Sequence, residues 1–186
     1  MSLAAATMIL GIDPGSQRTG YGVVQRFANG QYKYLDSGCI RTVADTFPQR
    51  LRTIFEGVQQ LISQYNIQEV VIEQVFMNKN ANSALKLGQA RGAALAAAAL
   101  RDMLIHEYTP AQIKQALVGK GNATKPQVQQ MVKILLGLAF TPGADAADAL
   151  AGILCHCHHY QFNQCLGAQS YKKEKKMTWT RKFSHL

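Results

Sequence analysis

The most constraining feature of this chain is an apolar run that ends in an acid and a proline-glycine turn. Met8 to Val24 reads MILGIDPGSQRTGYGVV. Met8, Ile9, Leu10, Gly11 and Ile12 are bounded by turn residues and suit a pleated, buried surface, so the run is read as a strand. It delivers Asp13 at its end. Pro14 and Gly15 then turn the chain, and Thr19 to Val24 starts a second strand. A carboxylate leaving a buried strand into a tight turn must find a cation or hydrogen-bond donors. This stretch alone leaves two readings open: Asp13 binds a metal ion, or it accepts N–H bonds from the Pro-Gly-Ser turn.

Two strand-like segments follow, Gly20 to Arg26 and Gln31 to Arg41, and Asn29-Gly30 between them is a strong hairpin signal. Three sequential antiparallel strands result. The period then changes: Leu51, Ile54, Phe55, Val58, Leu61, Ile62 and Tyr65 recur at three and four. That is an amphipathic helix, capped by Thr46 and entered through Phe47-Pro48. Glu69 to Val75 is too apolar for an edge strand and is expected beside the first strand. Glu73 interrupts it, and a buried glutamate must be paired, metal-bound or protonated unless it reaches solvent or an arginine at the strand end.

Asn80 to Leu104 is expected to form a long helix. Gly88, Gly92 and Ala96 are spaced by four on one face, a smooth stripe that fits a subunit interface or close packing on the protein's own sheet. Ile105 to Tyr108 is a last strand. Thr109-Pro110 opens a helix containing Lys114, and Gly119-Lys120-Gly121 breaks it. Thr124, Lys125 and Pro126 begin another helix that runs to Leu136. The loop LVGKGNATK lacks P-loop spacing and is not read as one. The closing helix, Ala144 to about Tyr160, carries Asp145 and Asp148 three apart in its first turns, where the helix dipole favours acids. That pairing alone also fits ordinary helix capping.

Charge and cysteines bear on partners. The 186 residues carry a formal charge of +9, and six Lys or Arg against one Glu between Tyr171 and Leu186 hold over half of it. Tyr171, Trp179 and Phe183 are interleaved there, a pattern that fits either phosphate contacts with base stacking or a solvated terminus. No apolar run approaches a membrane span, and residues 1–7 lack the pattern of a signal peptide, so a cytoplasmic protein with no membrane partner is expected. Cys155, Cys157 and Cys165 lie among histidines in CHCHHYQFNQC. On a helix Cys155 and Cys157 point about 200° apart, which argues against a tetrahedral zinc site. Disulfides are not expected in that compartment.

Four carboxylates, Asp13, Glu73, Asp145 and Asp148, converge if the first and fourth strands are neighbours and the last helix crosses them. Like charges that close call for divalent cations, and magnesium fits an all-oxygen set. Two such ions can drive an in-line displacement at phosphorus.

GIDPGSQRTGYGV, VVIEQVFMNKN, SALKLGQARG and DAADALA, in this order and spacing, resemble the RuvC Holliday junction resolvases from about Met8 to His158. The resemblance implies an α/β, ribonuclease H-like fold: a five-stranded mixed sheet, three N-terminal strands antiparallel, with helices on both faces. It also implies a homodimer that nicks four-way junction DNA symmetrically with Mg2+, two ions per site, with Mn2+ able to substitute. RuvA and RuvB, the branch-migration proteins, are the implied partners. By the same resemblance Asp13, Glu73, Asp145 and Asp148 are catalytic metal ligands, Phe76 stacks at the opened junction, and Lys114 and Lys125 lie near the scissile phosphate. The polar surroundings of Phe76 in FMNKN favour stacking over a core role. The expected organisation is an N-terminal extension (1–7), a nuclease domain (8–160) and a flexible basic tail (161–186).

Asp13 with its glycine turn also resembles the phosphate loop of actin-like ATPases, but those need two lobes and this chain is too short. An RNA-processing nuclease of the same fold and a non-catalytic junction-binding module are the other rivals. The complete acid set is awkward for the latter.

Overall fold

The computed structural model describes residues 6–43, 46–75, 80–101 and 103–182, with side chains of the last helix described as far as residue 163. β1 (Ala6–Asp13), β2 (Arg18–Phe27) and β3 (Tyr32–Arg41) form an antiparallel meander. At the expected hairpin, Gly30 takes φ +84° and its N–H donates to the Phe27 carbonyl at 2.9 Å. After α1 (Phe47–Tyr65), β4 (Glu69–Glu73) lies parallel beside β1. After α2 (Ala81–Ala99), β5 (Leu104–Tyr108) lies parallel beside β4. Strand order is β3-β2-β1-β4-β5, so β1 and β4 are interior neighbours as expected. α3 (Pro110–Val118), α4 (Lys125–Leu135) and α5 (Ala144–Lys182) complete the chain.

Period-two alternation divides the sheet between two helical layers. Leu10, Ile12, Val23, Val70 and Ile72 pack with Ile54, Val58 and Ile62 of α1 and Ala90, Ala94 and Ala97 of α2. Ile9, Val24 and Val71 face the other way, against Leu150, Ile153 and Leu154 of α5 and Ile113, Val128 and Val132 of α3 and α4. Each fully buried Leu, Ile or Val contributes about 1.5–3 kcal/mol. The same parity puts Asp13, in step with Ile9, and Glu69 and Glu73, in step with Val71, on the α5 face.

That face is built for contact. A Cβ at Gly20 would stand 2.0 Å from the Asp145 carbonyl oxygen, and one at Gly11 would stand 2.3 Å from that of Ala149. Gly22, the cross-strand partner of Gly11, meets Leu150. α5 therefore rests on bare strand backbone, and Gly20 is also the register partner of Asp13.

Several element boundaries differ from the sequence reading, and three of the differences have an identifiable cause. β4 stops at Glu73 rather than Val75, because β1 turns away at Pro14 and leaves no partner beyond Asp13. α2 ends at Ala99 rather than Leu104: Leu104 keeps helical spacing, but its backbone pairs opposite Glu69 in β5. α5 continues to Lys182 rather than ending near Tyr160, there being no proline and a single glycine, Gly167, beyond Tyr160 to interrupt it. Gly88, Gly92 and Ala96 lie on the exposed side of α2, away from buried Ala90 and Ala94, with open space around both glycines. The stripe therefore does not pack on the protein's own sheet.

If α5 is seated by this glycine surface, Gly20→Ala costs about 1–3 kcal/mol, since backbone and not a flexible side chain must yield. A lowered Tm in calorimetry, with Gly143→Ala in open space unchanged as control, is the expected result.

Candidate active site

Asp13 and Glu73 sit level at neighbouring strand ends. The parallel register pairs Ile12 with Ile72, and each acid is the next residue. The turn after Asp13 is held without its carboxylate: Thr19, fully buried, donates from Oγ1 to the Gly15 carbonyl at 3.0 Å. Thr42 Oγ1 donates to the Gln17 carbonyl at 3.0 Å. The Gly15 N–H donates to Thr19 Oγ1 at 3.4 Å, and among the described residues no turn amide donates to Asp13. The turn-acid reading of Asp13 thus loses its basis. At Glu73, Arg91 from α2 donates from Nε to the backbone carbonyl at 3.3 Å while its Nη2 holds Glu107 Oε2 at 2.6 Å, fixing the strand end.

α5 supplies the opposing acids. Asp148 joins Asp13, Glu73, Lys114 and Lys125 around a cleft of about 230 Å³, with Pro110, Ile113 and Val128 as its apolar wall. Lys114 comes from α3, and Lys125 opens α4 directly after the capping Thr124. Asp145, one turn earlier, does not line this cleft, although its charge acts on Asp13 and Asp148. It lines a separate groove, and its Oδ2 accepts a long 3.8 Å contact from the Cys39 thiol. Phe76 falls outside the described residues.

The electrostatics are those of a cation site. Burial, then Glu73, Asp148 and Asp145, push Asp13 up to about 8, with Lys125 opposing. Burial, then Asp148, push Glu73 up to about 7, against Lys125 and Lys114. Asp148 is also raised by burial, although Lys125 Nζ lies 3.4 Å from its Oδ2. Lys125 is 75% exposed, so solvent screens much of its charge and it offsets only part of the repulsion. The donors are carboxylate oxygens, short of positive charge and aimed into one cleft. That is the chemistry of a hard divalent cation such as Mg2+.

A second cluster occupies the other end of the same sheet face. Arg26 donates through Nη2 to Glu69 Oε1 at 2.7 Å and through Nη1 to Oε2 at 3.2 Å. His156 Nε2 lies 2.8 Å from Glu69 Oε2, and its Nδ1 lies 2.9 Å from the Tyr108 hydroxyl. Tyr160 covers the guanidinium at 3.9 Å. Burial opposes ionisation of Glu69, but hydrogen bonds from His156 and Arg26 outweigh it and hold the carboxyl at about 2. Glu69, His106 and His156 have metal-ligand spacing, yet Arg26 already provides the positive charge there. Cys155 and Cys157 are buried near this group, and burial above all pushes their thiols up to about 11 and 12. Sequence reading missed the cluster. Its signal was the i+4 series Asp148, Gly152, His156 along the face of α5 that meets the sheet.

Among known proteins, the model of the family described as "Crossover junction endodeoxyribonuclease RuvC" matches residues 9–156. A protein of that name from Pseudoalteromonas atlantica is 60% identical over 151 residues, covering 81% of this chain and 87% of its own length. The T. thermophilus RuvC solved in complex with Holliday junction substrate aligns with TM-score 0.78 and 32% identity, over 84% of this chain and 96% of that one. The yeast mitochondrial Holliday junction resolvase Ydc2, at TM-score 0.59 and 12% identity, shares the fold.

The raised carboxyls set a pH dependence. Metal-free folded protein favours their protonated forms, so the destabilisation is absent below about pH 4 and grows as pH rises through 7 to 8. In calorimetry Mg2+ should raise Tm more at pH 8.5 than at pH 5.5. Without metal at pH 8.5, Asp13→Asn should raise Tm by about 2–4 °C for each kcal/mol of repulsion removed. A metal-independent Tm at pH 8.5 would contradict this assignment.

Proposed function

This chain belongs to the RuvC family of crossover junction endodeoxyribonucleases, and we propose that it resolves four-way DNA junctions by magnesium-dependent hydrolysis at the cleft between β1, β4 and α5. The single observation that carries this reading is the meeting of Asp13, Glu73 and Asp148 in one cleft, with the charge of Asp145 acting on Asp13 from one turn earlier on α5, under mutual repulsion that a divalent cation would relieve.

In this reading Asp13 and Glu73 are the fixed side of the site, held by sheet register, and Asp145 and Asp148 are the side brought by α5. These four acids would hold Mg2+, with Mn2+ able to take its place. Held by these four acids, two ions per site would supply positive charge at the scissile phosphate and lower the pKa of the attacking water. Lys125 keeps Asp148 turned into the cleft and, with Lys114, offers ammonium donors to the phosphate oxygens. The apolar wall formed by Ile113 and Val128 limits water around the reacting group and strengthens every charge interaction there. Phe76 follows Glu73 by three residues, which supports its role as the aromatic that stacks where the junction opens.

Paired cuts require two sites. The exposed Gly88, Gly92 and Ala96 stripe, flanked by Leu85 at 67% exposure, supports α2 as the face on which a homodimer forms. A two-fold dimer presents equivalent cleavage sites to a nearly two-fold junction. The nuclease domain is assigned to residues 8–160. RuvA and RuvB complete the set of partners this assignment implies, and the compartment is the cytoplasm. Among the described residues no helix is long and apolar enough to cross a membrane.

On a synthetic four-way junction with Mg2+, wild type should cut symmetrically and leave linear duplex and RNA–DNA hybrid largely intact. Asp13→Asn should bind the junction and lose at least about 10²-fold in cutting rate, as expected when a group acting on developing charge is removed. Equal cutting by both proteins would overturn the mechanism. In sedimentation, Gly88→Leu with Gly92→Leu should shift the dimer to monomer, and a variant that stays dimeric would remove α2 as the interface.

A further inference from the structure

Arg18 and Arg41 are register partners across the β2–β3 pair, at the end nearest the active-site cleft. Their parity with Gly20 and Cys39 directs both toward the α5 face. Two like charges directly opposite on an antiparallel pair are destabilising unless an anion lies between them. Both are exposed, and among the described residues neither forms a salt bridge or side-chain hydrogen bond. Elsewhere arginines that meet this sheet are matched: Arg26 of β2 holds Glu69, and Arg91 of α2 holds Glu107.

These two arginines border a groove of about 450 Å³ whose wall continues through Gly143 to Asp145, the acid one turn before Asp148 on α5. Asp145 thus links the two regions: it lines the arginine groove while its charge acts on Asp13 and Asp148. Phe140, half exposed, stands at the groove's edge with its ring edge-on to Tyr34 at 6.1 Å. Unmatched guanidinium groups, a small-residue wall and an exposed aromatic in one channel make a track for a nucleic-acid strand, with cations for phosphates and a ring for a base.

We propose that Arg18 and Arg41 grip the phosphodiester backbone of the cleaved DNA strand beside the scissile phosphate, so that the strand runs from the acid cleft over Asp145 into this groove. The inference rests on the junction-cutting reading above. It makes the pair positioning residues, since they meet the strand away from the reacting atoms.

The test uses the full chain carrying Asp13→Asn, so that binding is measured without cutting, with and without Arg18→Gln and Arg41→Gln. Junction affinity is read by fluorescence anisotropy across a KCl series. The expected result is weaker binding, with the slope of log K against log salt reduced by about 4, one for each phosphate that the two arginines of each protomer in the dimer no longer neutralise. Arg18→Lys with Arg41→Lys should restore most of the slope, because a point charge suffices for a phosphate. The Tm of the glutamine pair should equal or exceed that of its parent, since only like-charge repulsion is removed. An unchanged affinity and slope would overturn the proposal, as would a lowered Tm that lysine substitution does not repair. A parent chain that fails to bind the junction at all would instead remove the junction-cutting reading on which the proposal stands.

Discussion

Everything at the candidate site depends on how closely α5 lies on β1 and β2. Strand alternation directs Asp13 and Glu73 to one face, but a helix at ordinary packing distance would leave Asp145 and Asp148 out of reach. Gly11, Gly20 and Gly22 remove the side chains that would hold α5 away, and the carbonyls of Asp145 and Ala149 occupy the space instead. Because Gly20 is paired with Asp13, the point of tightest contact is also the point where strand acid and helix acids meet. One packing constraint therefore accounts for both the core on this face and the geometry of the acids.

The two ends of the face resolve buried charge in opposite ways. At one end Glu69 is matched by Arg26 and His156, and its carboxyl is held well into the ionised range. At the other, Asp13 and Glu73 are pushed far above their ordinary values, and the lysines nearby offset only part of that. β4 carries both glutamates, four residues apart, and α5 carries His156 and Asp148, eight apart. The same two elements thus anchor a satisfied ion-pair network and hold an unsatisfied acid set. The satisfied end fixes α5 against the sheet, and the unsatisfied end is left poised for a cation. Matched and unmatched charge are thus separated along one helix.

Much of this was legible in the sequence because the physics is local. The run into Asp13, the hairpin at Asn29-Gly30 and the stripe of α1 follow from neighbours in the chain. The four acids could be joined only by assuming strand order and a helix crossing, and motif resemblance supplied what periodicity could not. Boundaries decided by pairing were the weaker part: β4 ends at Glu73 because β1 ends beside it, and Leu104 is taken from α2 by β5. Most hidden was the Arg26, Glu69 and His156 network. Its members lie 43 and 87 residues apart, and Glu69 reads in isolation as an ordinary polar strand start. The unmatched Arg18 and Arg41 were likewise invisible until register put them opposite each other.

The central claim, that the acids gathered by α5 form the divalent-cation site, is tested most directly by locating manganese in crystals of the protein by anomalous scattering. The account predicts anomalous density between the carboxylates of Asp13, Glu73 and Asp148, with Asp145 at its edge. Density at Glu69, His106 and His156, with none among the four acids, would contradict it.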